Sequence, residues 1–87
     1  MARYAIEILP SAERALSALD KPHRERIGAR IDALATNPRP AGIKKLHGDD
    51  NVWRLRVGEY RVIYEIHDRR LVVTVVKVGH RREVYRR

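Results

Sequence analysis

Three arginines fall within one short stretch, Arg54, Arg56 and Arg61, with the dipeptide Gly58-Glu59 between the second and the third. Glycine at the first central position of a two-residue loop suits a type II′ hairpin turn. Closing that hairpin pairs Val57 with Tyr60, Arg56 with Arg61, Leu55 with Val62, Arg54 with Ile63 and Trp53 with Tyr64. Strand side chains alternate with a period of two, so Trp53, Leu55, Val57, Tyr60, Val62 and Tyr64 share an apolar face while Arg54, Arg56 and Arg61 gather on the other. A slip of one residue would mix the faces. Like charges opposed across a sheet destabilise it, so the pairing of Arg56 with Arg61 does not serve the fold. Three guanidinium groups on one face are suited to hold an anion.

The elements that must present this face are legible on either side of it. Tyr4 to Leu9 alternates as a first strand; Pro10-Ser11 ends it and opens a helix, with Ser11 as N-cap. Ala12, Ala15, Leu16 and Leu19 follow helical spacing. Asp20-Lys21-Pro22 interrupts, with Asp20 as a cap and Pro22 in a first helical turn. A second helix carries the stripe Ile27, Ile31, Leu34 and Ala35 and stops by Asn37-Pro38, because proline disfavours a helical residue before it. The two form an antiparallel helical hairpin of about thirty residues. Residues 38–51 read as a surface loop anchored by Leu46. Three strands follow as a meander, Val52 to Val57, Tyr60 to His67 and Leu71 to Val78, with Asp68-Arg69-Arg70 as the second turn and Gly79 as the end. The last strand, LVVTVVKV, is apolar on both faces, as a strand covered on each side would be. The first strand is therefore expected along its free edge, with the helices over one face. The fold class is α+β: an N-terminal strand, an antiparallel helical hairpin and a three-stranded antiparallel meander, in a single domain over residues 1–87.

Composition bounds the rest. In 87 residues, 44% hydrophobic side chains give a modest core and 34% charged ones a wet surface. The formal net charge of +8 favours nucleic acid or a strongly acidic protein as partner. There is no cysteine, so no disulfide and no thiolate ligand or nucleophile; this fits a cytoplasmic protein. The first ten residues, MARYAIEILP, are too short and too polar an apolar run for a signal peptide or a membrane span, and no membrane association is expected.

The runs WRLRVGEYRVIYEI and, one strand later, VVKVGHRREVYR resemble the RelE toxins of the RelE/ParE superfamily of type II toxin-antitoxin systems. The most specific pieces are Gly58 to Arg61, and Val78-Gly79-His80-Arg81-Arg82-Glu83-Val84-Tyr85. The resemblance covers nearly the whole chain and implies a single-sheet RelE-like fold of microbial-ribonuclease type. It further implies a toxin that enters the decoding site of a translating ribosome and cuts messenger RNA, with no metal and no cofactor. Its partners would be ribosomal RNA, messenger RNA and a cognate antitoxin whose flexible segment wraps the toxin and orders on binding. In such enzymes the 2′-hydroxyl of one nucleotide attacks its own 3′-phosphate, leaving a cyclic phosphate and a free 5′-hydroxyl. That step needs help in deprotonating the hydroxyl, cations for the phosphorane charge and a proton or cation for the leaving oxygen.

By the resemblance, Arg61 and Arg81 match two arginines that clamp the scissile phosphate and stabilise or protonate the leaving group, and Tyr85 matches a tyrosine that contacts the nucleotide. Arg54 and Arg56 fall where well-studied members carry lysines, one of them the proposed base. A guanidinium holds its proton to a pKa above about 12, so neither arginine is a base, and both act electrostatically and in binding RNA. Lys44, Lys45, Arg82 and His80 join the expected RNA-binding set, His80 as a group able to titrate near neutrality. Two residues follow Tyr85, where some relatives continue as a terminal helix.

Each residue also has a plainer reading. Arg54 and Arg56 suit a solvated strand face, Arg81, Arg82, Arg86 and Arg87 a basic tail, and Tyr85 a packing contact. His23, His47 and His67 are read as structural or solvated, and Trp53 as core. Two other functions stay open beside the ribonuclease: a ParE-like inhibitor of DNA gyrase that cleaves nothing, and a catalytically silent basic module that binds RNA or an acidic protein.

Overall fold

The computed structural model describes residues 3–46, 48 and 51–80. Its elements are β1 (Ala5–Ile8), α1 (Pro10–Ser17), α2 (Lys21–Ala33), β2 (Lys44–Lys45), β3 (Val52–Val57), β4 (Tyr60–His67) and β5 (Val72–His80). The strands make one sheet in the order β1-β5-β4-β3-β2. At the β3–β4 turn Gly58 has φ +60° while Glu59 keeps a negative φ, the combination that distinguishes type II′ from type I′. The ladder it sets pairs Val57 with Tyr60, Arg56 with Arg61 and Leu55 with Val62, the register expected from the turn. β1 lies parallel to β5, Ala5 opposite Val72 and Ile8 opposite Val75, and so takes the free edge assigned to it.

Both helices cover one face. Ala12 and Leu16 of α1, then Ile27, Ile31 and Leu34, pack onto Leu55, Val57, Val62, Tyr64, Ile66, Val73, Val75 and Val78. This is the helical spacing of the stripe meeting the period-two face of the strands. Tyr64 is fully buried and donates its hydroxyl to the Pro38 carbonyl at 2.8 Å, which ties the segment after α2 to the centre of the sheet.

Several boundaries differ from the sequence reading. α1 begins at Pro10 with Leu9 at the N-cap position, so Ser11 lies inside the helix and caps nothing; proline, with no N–H to satisfy, takes the first helical place. Asp20 does precede α2, yet it makes no capping bond, because its carboxylate is held by His23 Nδ1 at 2.5 Å. The loop after α2 contains the two-residue edge strand β2, too short to show a periodicity. Ile43, not Leu46, is the loop residue packed on the main core; Leu46 contributes its N–H to the Val52 carbonyl. β5 runs through Gly79 to His80, since Gly79 still has Arg61 to pair with across the ladder. Trp53 is half-buried, not enclosed, with the Arg39 guanidinium 5.7 Å from its ring centroid.

Candidate functional site

The face without helices is organised in rows across the sheet. Nearest the β3–β4 turn, Arg56 pairs with Arg61 and Arg61 with Gly79. In the next row Lys44 pairs with Arg54, Arg54 with Ile63 and Ile63 with Lys77. Five cationic side chains thus surround the buried Ile63 and a glycine. One row further the charge reverses: Glu65 opposes Thr74, and Thr74 opposes Glu7. The Glu65 carboxylate lies 3.0 Å from His67 Nε2. A polyanion on this face is drawn to the rows nearest the turn and away from the Glu65–Thr74–Glu7 row.

Arg61 is the deepest of these cations. It is 5% exposed, and its Nε and Nη1 are buried with no hydrogen-bond partner among the described residues. A buried charge without a partner costs several kcal/mol, on the order of what a good ion pair would recover. Arg54 is half-buried, while Arg56, Lys44 and Lys77 are exposed. The arrangement offers a recessed guanidinium with more exposed cations around it, which is how a phosphate is gripped from below and screened from the sides.

The face does not include every residue expected there. His80 pairs with Tyr60 and sits on the helix side, its ring edge-on to the Tyr60 ring with centroids 5.8 Å apart. Alternation forces this: if Gly79 faces the open side with Arg61, His80 cannot. Lys45 opposes Trp53 and likewise belongs to the other face. His23 stacks obliquely on Tyr60 at 5.2 Å, and His67 Nε2 lies against the Glu65 carboxylate. Arg81, Arg82, Tyr85 and His47 lie outside the described residues. Two basic residues were missed. Arg26 of α2 reaches the turn, its guanidinium within 3.5 Å of where a side chain at Gly58 would begin; only the basic run of α2 hinted at it. Lys77 was hidden in an apolar strand.

At the opposite end of the sheet a second polar cluster is structural. Arg39 donates from Nη1 and Nη2 to the two Asp68 oxygens at 3.1 and 2.9 Å, and the Tyr4 hydroxyl donates to Asp68 at 2.5 Å. These bonds, Arg39 first, push the Asp68 carboxyl down to about 2. They join the residue before β1, the post-α2 segment and the β4–β5 turn, where Leu71 takes φ +53°. Among the described residues no three His, Cys, Asp or Glu groups are placed to hold a metal ion, and no helix is long and apolar enough to cross a membrane.

A family model described as the ParE toxin of the type II toxin-antitoxin system parDE matches residues 6–85. The chain belongs to the RelE/ParE family of type II toxins. A relative from Methanocaldococcus jannaschii, provisionally named toxin RelE1, is 29% identical over 87 residues, covering 97% of either chain. In the crystal structure of the archaeal RelE-RelB complex from Pyrococcus horikoshii OT3, one chain superposes with a TM-score of 0.82 at 30% identity, covering 93% of this chain and 98% of that one. An arginine-to-alanine double mutant of Escherichia coli toxin RelE in the free state gives a TM-score of 0.79 at 25% identity, with 95% and 90% covered. This RelE/ParE toxin therefore has the expected single-sheet α+β fold over nearly its whole length.

Proposed function

We propose that this toxin is a ribosome-dependent endoribonuclease that cleaves messenger RNA in the decoding site and so inhibits translation in the cytoplasm. The observation that carries the reading is Arg61: a recessed guanidinium with donors unused among the described residues, at the centre of a cationic sheet face that an RNA backbone would complete. RNA supplies its own nucleophile, the 2′-hydroxyl, so the protein's task is to align the attack and stabilise charge. Arg61 would hold the equatorial oxygens of the scissile phosphate as they gain charge, where a preorganised donor acts most strongly. Arg54 and Arg56 would fix the flanking backbone, Arg81 would stabilise the charge on the leaving oxygen, and Tyr85 would contact the nucleotide, as the family pattern implies. A cognate antitoxin would silence the toxin by covering this face; the complex of RelE with RelB in the Pyrococcus horikoshii structure supports that partnership.

The description of the matching family model favours a second reading, inhibition of DNA gyrase by protein binding alone. Mapping cuts on programmed ribosomes by primer extension, with wild type, Arg61→Ala and free RNA in parallel, separates the two. Cuts within the decoding-site codon, lost in the variant and absent on free RNA, support the ribonuclease. An uncut message together with blocked DNA supercoiling by gyrase supports the other reading.

A further inference from the structure

The β4–β5 ladder is interrupted. Tyr64 faces Val75, whereas Ile63 faces Lys77, so Val76 is an extra residue on β5 with no counterpart on β4. A bulge of this kind changes which side chains face which way. Without it Ile63 would oppose Val76, and Arg61 would oppose Val78. Lys77 would then point at the helices. With it, Val78 is buried in the core at 5% exposure and Lys77 stands exposed on the open face. Lys77 is then the diagonal neighbour of Arg61: Arg61 opposes Gly79, and Lys77 lies two residues before Gly79 on the same face. Diagonal partners are about 7–8 Å apart, within reach of long side chains. Gly79 contributes no side chain between them.

The cleavage needs a proton for its leaving oxygen, and the arginines of this face do not release theirs. Among the described residues, the other proton-bearing groups of the face are less well placed. Lys44 is on the edge strand β2, two strands from Arg61. Glu65 is engaged by His67, and Glu7 lies beyond it across Thr74. His23 and His80 are on the helix side. We propose that Lys77 donates the proton to the leaving 5′-oxygen of a phosphate held by Arg61. The inference rests on the ribonuclease reading. The 2′-oxygen forms its bond to phosphorus and gives its proton to solvent water. The P–O5′ bond breaks, its electron pair passes to O5′, and O5′ takes a proton from the Lys77 ammonium, which solvent water then reprotonates. The bulge explains why a lysine in an apolar strand faces the phosphate.

The test is single-turnover cleavage on programmed ribosomes of two synthetic messages, one with an ordinary phosphodiester at the cut site and one with sulfur in place of the bridging 5′-oxygen. A thiolate leaves without a proton. Lys77→Ala and Lys77→Arg are expected to cut the ordinary message about a hundredfold more slowly than wild type, in line with the usual worth of a proton donor. On the sulfur-bridged message both should cut within about threefold of wild type. Lys77→Arg preserves the charge, so a wild-type rate for it on the ordinary message would overturn the proposal, as would equal losses on both messages. Failure of the wild type to cut either message would overturn the ribonuclease reading itself, and with it this role.

Discussion

Arg61 and Gly79 face each other across the β4–β5 ladder, so the most buried of the described cations on the open face stands opposite a residue without a side chain. Among the described residues Arg61 Nε and Nη1 have no partner, so within that part of the fold the buried guanidinium is a cost. Removing such a group is neutral or stabilising when an apolar side chain of similar volume replaces it. Arg61→Met should therefore unfold at the same urea concentration as wild type or a higher one, while mRNA cleavage falls by about 10²–10³. A midpoint lowered by the equivalent of more than about 1 kcal/mol would mean that the guanidinium supports the fold.

The glycine makes the complementary prediction. Gly79→Val places a branched side chain on the open face directly opposite Arg61, at a half-buried position of a strand. Valine suits a strand better than glycine, so thermal unfolding should not move downwards. Displacing a phosphate by about 1 Å is enough to lose roughly a hundredfold in rate. Cleavage at the wild-type rate by Gly79→Val would show that the phosphate does not approach Arg61 from this side.

The contrast between what was and was not legible follows from these residues. Period-two alternation and the Gly58-Glu59 turn carried the β3–β4 register, and hence the shared face of Arg54, Arg56 and Arg61. Alternation reports a side, not a depth, so the burial of Arg61 was invisible. The bulge had no signal at all, because Val75-Val76 reads as one more pair in an apolar run; Lys77 was passed over and His80 was placed with the RNA-binding set, and only the observed ladder sorts them to opposite faces. Ser11 was a sound N-cap by type, but Pro10 starts the helix one residue earlier.

Gly58 holds that register through its backbone. Its φ of +60° is costly for any residue with a Cβ, by about 1–2 kcal/mol. Space is not the obstacle, since an added Cβ would meet Arg26 Nη2 at 3.5 Å, an ordinary contact. Gly58→Ala should lower stability by that amount in urea, and adding Arg26→Ala should leave the loss unchanged. Recovery in the double variant would make the cause steric.

Acid should find the Asp68 cluster. Its carboxyl is held at about 2, below the ordinary value near 3.9, chiefly by the Arg39 bonds and then by Tyr4. A depressed carboxyl stabilises the fold above its unfolded value and loses that contribution as pH falls through its folded one. The advantage of wild type over Asp68→Asn should be constant above about pH 5 and vanish towards about pH 2. Asp68 and Arg39 are both about half exposed, so the effect is damped by solvent and should shrink further in salt. Urea midpoints from pH 2 to 7 measure it; a difference independent of pH would assign the Asp68 contribution to packing instead.

Tyr64 answers at the other end of the scale. Burial pushes its phenol up to about 12, and the hydroxyl is committed to the Pro38 carbonyl at 2.8 Å. Tyr64→Phe leaves that carbonyl, on a buried residue, without its partner and should cost about 1–3 kcal/mol at neutral pH. The sign in alkali follows from which form the fold accepts. The folded state keeps the neutral phenol, so its contribution is whole below the unfolded value near 10 and is lost as pH rises through about 12. Stability of the wild type should therefore fall more steeply between pH 10 and 12 than that of Tyr64→Phe, and the two curves should converge. Parallel slopes in urea titrations over that range would show that the phenolate is tolerated in the core, and that the Pro38 bond is not what fixes the segment after α2.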